Sequence, residues 1–331
     1  MIRFLRILGF VFLSLLGGLF LLWATGALWF DLPLPETFRK FVAALFFLGV
    51  ILLWFLARPR LIALIPLALV TAWWFTLQPK SDRDWQSNVA QTAWAEVKGD
   101  TVTFNNVRNF EYQPDGHYTP KWETRVVKLS QITGIDLAIN YWGSPYMAHP
   151  IVSFQFADAL PLCFSIETRR EVGENYSALG GFYRQYELIY IVSDERDVIR
   201  VRTNFNKGEE IYLYRLRMRP EKARERFLEY ITALNDLHEH PRWYNAITAN
   251  CTTSIRNQRA MTARSAWDWR LLVNGFADQM LYEQGVICTG GLPFAELKKQ
   301  SLINDLAKAA DATPDFSNRI RARMLRCLQS R

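Results

Sequence analysis

Metal-binding side chains are scarce in this chain, which holds four histidines and four cysteines among 331 residues. No two cysteines stand close in sequence, and His238 and His240 are two apart, whereas a helical zinc pair needs i and i+4 on one face. That pattern excludes a finger or zincin-type centre, and the two histidines are expected to be favourable cations at a helix end. No metal or cofactor is expected. Nucleotide loops are missing as well: Gly180-Gly181 and Gly290-Gly291 lack the strand-to-helix setting and the spacing such a loop needs. Ser165, in Phe164-Ser165-Ile166-Glu167, is not in a nucleophile-elbow context, which disfavours a serine hydrolase. No internal repeat, low-complexity tract or basic stripe interleaved with aromatics occurs, so nucleic acid is not an expected partner. The net charge of +7 does not alter this, because residues 1–79 carry six Lys/Arg against two Asp/Glu, leaving a near-balanced 33 and 30 for the rest.

Long apolar runs are absent after residue 80, but three fill the chain before it. Residues 7–30, 41–57 and 61–79 are uncharged stretches of 24, 17 and 19 residues. Each comes close to or exceeds the roughly 30 Å of a bilayer's hydrocarbon core at about 1.5 Å per residue. The first is too long for a cleaved signal peptide, and Trp23, Trp29 and Phe30 stand where small residues would mark a cleavage site. Three transmembrane helices are therefore expected. Arg3 and Arg6 before the first run and Arg58 and Arg60 between the second and third mark the cytoplasmic side. Three crossings would then put everything after Lys80 outside the cytoplasm, with Trp73, Trp74 and Phe75 in the outer interface.

The remainder is long enough for a full core. A helical lead-in is expected over 82–96. Short strands follow at 101–104 and 124–129, then a strand-rich block at 136–141, 149–156, 162–169, 189–192, 198–203 and 211–216, whose short connections call for antiparallel pairing. From Pro220 the pattern turns helical through His238, and further helices are expected near Asn250, Ala266 and Pro293. The fold class is α+β, in three parts: a membrane anchor over 1–80, a main domain over 81–260 and a helical extension over 261–331. The run Ser193-Asp194-Glu195-Arg196-Asp197 is expected to be a solvated loop. Cys163 is expected in the core or in a disulfide, and pairing among Cys163, Cys288 and Cys327 is open.

Two residues carry the chemistry. Cys251 lies between Asn250 and Thr252-Thr253, which favour a turn-to-helix junction, and a thiol there would feel backbone N–H donors. His149 opens a strand about a hundred residues earlier. Together they form the parts of a cysteine-nucleophile site, with imidazole as base. A turn centred near Ala159 would set His149 opposite a residue near Arg169 and make Glu167 its diagonal neighbour, within reach to hold the imidazole tautomer. Asp158 is a weaker candidate at the turn itself. The Cys251 N–H, with the side chain of Asn250 or Tyr244, is a candidate oxyanion site. His117 belongs to an exposed turn. Tyr183, Tyr186 and Tyr190 with Phe182 either line an apolar groove or are ordinary strand packing.

Over roughly residues 120–260 the chain resembles the family that supplies the periplasmic domain of the Lnb-type bacterial lipoprotein N-acyltransferases. The resemblance rests on Ala148-His149-Pro150-Ile151-Val152-Ser153-Phe154, Phe164-Ser165-Ile166-Glu167-Thr168-Arg169-Arg170, Tyr186-Glu187-Leu188-Ile189-Tyr190, Tyr244-Asn245 and Asn250-Cys251-Thr252-Thr253. It implies a permuted papain-like thiol-hydrolase fold in which histidine precedes cysteine. It also implies acyl transfer through a thioester on Cys251, with His149 as base and then acid and Glu167 as third member. The three crossings and the carboxyl-terminal region depart from that pattern, so the acceptor does not carry over.

The expected protein is a thiol acyltransferase or hydrolase in the bacterial inner membrane, amino terminus cytoplasmic and main domain periplasmic, acting on membrane lipids or lipoproteins. A cysteine amidase or peptidase on peptidoglycan peptides, and a non-catalytic envelope scaffold, are the alternatives. An apolar groove would favour the lipid substrate, an open polar cleft the peptide, and a buried Cys251 far from His149 the scaffold.

Overall fold

A computed structural model describes residues 2–259, 264, 267–325 and 327. The chain divides into two compact units, one comprising Met1–Asp82, Asn175–Glu187 and Trp243–Ala246, the other Arg83–Glu174, Leu188–Arg242 and Ile247–Arg331.

The first unit contains helices α1 (Ile2–Asp31), α2 (Glu36–Leu56) and α3 (Leu64–Thr76). Only α1 and α2 are long and apolar enough to cross a membrane among the described residues. Their large side chains, among them Phe12, Leu19, Leu45 and Phe55, point outward, while small residues Ala24, Ala27 and Ala43 let the helices meet. The third expected span falls short. A 3-10 turn at Arg60–Ala63 precedes α3, Pro66 sits in its first turn, and the helix ends at Thr76. The apolar helix Arg60–Thr76 thus reaches roughly 25 Å, short of the roughly 30 Å core. Two crossings return a chain to the side it started from, so the odd-number argument for orientation falls with the third span.

Segment Asn175–Glu187 is seated within this unit. Asp31 at the end of α1 accepts hydrogen bonds from Trp74 Nε1 at 2.7 Å and from the Arg184 N–H at 3.0 Å. The Arg184 guanidinium covers the Trp74 ring at 4.0 Å and donates to the carbonyls of Trp74 and Leu77. Tyr183 stacks on Phe30, with its hydroxyl where a Cβ on Gly26 would lie. Tyr183 and Tyr186 therefore belong to this packing, whereas Tyr190 lies on a strand of the second unit.

The second unit is built on a sheet of β1 (Trp94–Lys98), β2 (Thr101–Arg108), β5 (Trp122–Lys128), β6 (Ile132–Tyr141), β7 (Ala148–Phe156), β8 (Leu162–Arg169), β9 (Glu187–Ser193) and β10 (Glu210–Arg215); β3 (Glu111–Tyr112) and β4 (Tyr118–Thr119) form a separate hairpin. The strand order is β1-β2-β9-β8-β7-β6-β10, with β5 also on β2. The pairs β1–β2, β2–β5, β6–β7, β7–β8 and β6–β10 are antiparallel, and Arg108 of β2 meets Ser193 of β9 in parallel. The expected strands at 149–156 and 162–169 form the central hairpin. Its register, Ile151 opposite Ser165, is centred near Asp158 rather than Ala159, and continuing it sets Glu167 directly across from His149. Helix α5 (Pro220–Glu239) covers one face, where Phe227 meets the rings of Phe104, Phe154, Phe156 and Phe164.

Two expected elements differ. The lead-in over 82–96 is not helical: it contains a 3-10 turn at Ser87–Val89 and then β1. The expected strand over 198–203 is helical, with α4 (Glu195–Val198) followed by a π turn at Val201–Phe205. Asp194 caps α4 by accepting from the Arg196 N–H, a local interaction stronger than the β-branched composition. The acidic run is not a solvated loop either. Asp197 is buried and accepts from Arg108, from the Phe110 N–H and from the Tyr112 hydroxyl, and Glu195 is buried against Arg321 and Ser153.

Helices α6 (Cys251–Asn257), α7 (Ala277–Glu283), α8 (Phe294–Ser301), α9 (Asn304–Ala309) and α10 (Phe316–Arg319) complete the unit. The helix expected near Ala266 begins outside the described residues. Cys288 and Cys327 form a disulfide, and Cys163 is a buried free thiol. His238 shares a 2.7 Å hydrogen bond with the Thr92 hydroxyl, and partial burial lowers its pKa, so it is not the expected helix-end cation.

Replacing Asp197 by Ala leaves the Arg108 charge buried without its partner. Chemical unfolding of the full chain is expected to show a loss of about 3–5 kcal/mol, since one half of a buried ion pair costs that much to strand; a solvated loop would show almost none.

Candidate active site

Helix α6 begins at Cys251 because Asn250 caps it: the Asn250 side chain accepts from the Thr253 N–H at 2.9 Å, and Thr253 Oγ1 accepts from the Asn250 N–H. The Asn250 carbonyl oxygen is thus engaged in the cap. The helix packs against β7 and β8. The Cys251 side chain is almost covered, at 8 % exposure, and burial pushes its thiol pKa above the ordinary value, outweighing the hydroxyl of Thr252, the amide of Asn274 and local N–H groups. The expected dipole-lowered thiolate is therefore not the resting state; a neutral thiol is. Nδ2 of Asn274 donates to Cys251 Sγ at 3.6 Å and to Thr252 Oγ1 at 3.4 Å. Its other amide atom, Oδ1, accepts the N–H of Ala148 at 2.8 Å.

Ala148 precedes His149, and a second chain of polar groups begins there. His149 Nε2 lies 2.6 Å from Ser165 Oγ, Ser165 Oγ donates to Glu167 Oε1 at 2.7 Å, and Arg202 donates to the same oxygen at 2.8 Å. The direct separation from His149 Nε2 to Glu167 is 4.0 Å, so the serine hydroxyl stands between the expected partners. Arg202, helped by Arg108, holds Glu167 well below the usual carboxylate range despite its burial. An ionised carboxylate only accepts. Ser165 has one hydroxyl proton, and it goes to Glu167. Ser165 must then accept from His149, which puts the imidazole proton on Nε2 and leaves the lone pair on Nδ1. Burial and the Arg202 charge push the His149 pKa down to about 4, so the ring is neutral near pH 7. Its Nδ1 makes no hydrogen bond among the described residues, and none joins His149 to Cys251.

Among the expected site residues, His149, Glu167, Cys251 and Asn250 all lie in the second unit, whereas Tyr244 belongs to the first. There the Tyr244 N–H donates to the Tyr186 carbonyl, and its ring lies close to Gly181. Asp158 sits at the hairpin turn and His117 in an exposed turn beside Asp115. Sequence reasoning missed Ser165 as a relay, Arg202 and Asn274. Ser165 stands two residues before Glu167 on the same expected strand, which puts both on one face; Arg202 lies in the stretch expected as a strand that instead forms a π turn, and Asn274 heads a 3-10 turn with no periodic signal.

Residues 118–275 match the family model of the Lnb N-terminal periplasmic domain. That is the resemblance read from the sequence, and the matched segment runs beyond residue 260 to include Asn274. No curated protein and no solved structure matches the chain. A periplasmic-domain match together with two apolar helices suggests a membrane-anchored protein whose matched segment is periplasmic.

The shift of His149 carries a sign for stability. Its folded pKa of about 4 lies below the ordinary 6.5, so this contribution is full above pH 6.5 and is lost as pH falls toward 4. Between pH 7 and 5 this group alone costs about 2 kcal/mol at 1.36 kcal/mol per unit. Unfolding curves at the two pH values should therefore converge more in His149→Gln than in the wild type, while Glu167 stays ionised throughout that interval.

Proposed function

We propose that the protein is a membrane-anchored thiol acyltransferase or hydrolase that acts at the periplasmic face on a lipid-linked or lipoprotein ester or amide, through a thioester on Cys251. The observation that carries this reading is the Glu167–Ser165–His149 chain, which presents a neutral imidazole whose basic nitrogen has no hydrogen-bond partner among the described residues, one residue from the strand N–H that Asn274 links to the thiol. Histidine on a strand preceding cysteine at a helix start also agrees with the order in a permuted papain-like fold.

In the proposed reaction the Cys251 thiol and His149 Nδ1 approach when substrate closes the site, as catalytic contacts often tighten only in the bound complex. Sulfur attacks the carbonyl carbon while its proton passes to Nδ1. The tetrahedral intermediate collapses by breaking the carbon–oxygen or carbon–nitrogen bond, and the leaving alcohol or amine takes the proton back from the imidazolium. An amine or water then attacks the thioester, giving amide or acid and restoring the thiol. Because both groups start neutral, attack and proton transfer are coupled, unlike a preformed thiolate–imidazolium pair.

A lipid substrate is favoured over a peptide by what adjoins Asn274. Tyr146, Phe276 and Trp269 form a run of rings with centroids 5.9 and 5.5 Å apart, and Tyr146 and Trp269 are exposed. An exposed aromatic ridge offers apolar contact to a hydrocarbon chain and few hydrogen bonds to a peptide backbone.

Incubation of the full-length protein with membrane lipids, followed by intact-mass and peptide mass spectrometry, is expected to show an acyl adduct on Cys251 that hydroxylamine removes. Cys251→Ala should carry none; an adduct of equal amount on that variant removes Cys251 from the mechanism. Alkylation of Cys251 by iodoacetamide should also rise only in the alkaline range, because the thiol pKa is raised; a plateau already reached below pH 7 would indicate a preformed thiolate and contradict the neutral pair.

A further inference from the structure

We infer that Asn274 is a further catalytic residue, the side-chain donor that stabilises the oxyanion formed when Cys251 is acylated. This rests on the proposed thioester chemistry and adds a residue that the sequence did not point to.

The amide of Asn274 has a determined orientation. The Ala148 N–H is a donor only, so the atom 2.8 Å from it must be the carbonyl oxygen, Oδ1. Nδ2 is then fixed on the opposite side, toward Cys251 Sγ at 3.6 Å. Its contacts there are a sulfur and the Thr252 hydroxyl, both at long range. Such bonds are weak and are readily exchanged for a charged oxygen, whose hydrogen bonds are roughly twice as strong.

The backbone around Asn274 is also held. Asn274 heads the 3-10 turn Asn274–Phe276. The Gly275 N–H donates to the Tyr146 carbonyl at 3.1 Å, and its own carbonyl accepts from the Tyr141 hydroxyl at 2.9 Å. A Cβ on Gly275 would stand 2.2 Å from the Pro145 carbonyl oxygen, so only glycine permits this approach. The Tyr141 hydroxyl is itself held by Lys298 at 3.0 Å, and Lys298 pairs with buried Asp278. A donor whose position is set before reaction costs no reorganisation when charge develops.

In the acylation step the carbonyl carbon bonds to Sγ, and the carbonyl π electrons move onto oxygen. That oxygen, bonded to the carbon on Sγ, comes within reach of the Nδ2 hydrogen. Collapse returns the electrons and expels the leaving group, with the proton on His149 going to it. Alkylation by iodoacetamide displaces iodide and forms no oxyanion, so it does not call on this donor.

That difference supplies the test. The full-length protein in detergent is reacted with p-nitrophenyl butyrate and, separately, with iodoacetamide, and modification of Cys251 is followed by mass spectrometry. Asn274→Asp keeps an acceptor for the Ala148 N–H and removes the donor; Asn274→Ala removes both. Acylation is expected to fall about 100–1,000-fold in both variants, as for loss of one oxyanion donor. Alkylation, compared at a pH where each variant's thiol is equally ionised, should stay within about threefold in Asn274→Asp. Unchanged acylation, or acylation and alkylation falling together in a chain that melts as the wild type does, overturns the assignment. A wild-type chain that is alkylated at Cys251 but never acylated there would instead remove the thioester reading, and this inference with it.

Discussion

An ionised carboxylate under protein, held there by a guanidinium, sets the logic of this site. Glu167 keeps its charge because Arg202 donates to it and Arg108 lies near. Were it protonated, it would offer a proton to Ser165 and the direction of the relay would be undefined. Held as an acceptor, it fixes the hydroxyl proton of Ser165, and Ser165 fixes the tautomer of His149. The order of these three side chains is a matter of hydrogen-bond valence rather than of proximity alone.

Sustaining that charge shapes the neighbourhood. Arg202 comes from the π turn after α4, and the start of α4 is tied to the sheet through the capping Asp194 and through Asp197, which takes the Arg108 guanidinium at 2.7 Å. Arg108 lies on β2 and Ser193 on β9, the place where the two strands meet in parallel. The buried acids and arginines are thus paired in chains that run from the sheet into the turn carrying Arg202. Removing one member strands another, so the electrostatics of the site and the integrity of the sheet are coupled.

The strands were legible because apolar, β-branched and aromatic runs stand between turn-forming residues: 149–156, 162–169 and 211–216 all form strands close to where the pattern put them. The start of α6 was legible because Asn250 and Thr253 are local cap residues. The stretch 198–203 misled because β-branched composition favours a strand while the deciding interaction, the Asp194 cap, precedes it. The acidic run misled because burial of charge depends on arginines 69 to 126 residues distant in sequence, as with Arg125 to Asp194 and Arg321 to Glu195. The third apolar run was long enough in residues but not in helix, since turns and prolines take its ends. Asn274 gave no signal at all; its significance depends on Ala148, which lies 126 residues away.

Segment Asn175–Glu187 leaves the sheet after β8, binds Asp31 and Trp74, and returns as β9. The helical unit is consequently discontinuous, assembled from three stretches of chain rather than appended as a leader. Cutting the polypeptide near residue 82 would not release a clean water-soluble half. It would strip Arg184 of its carboxylate and indole, and leave Tyr183 without Phe30, so the severed remainder would carry a sticky, unfinished flap into solution.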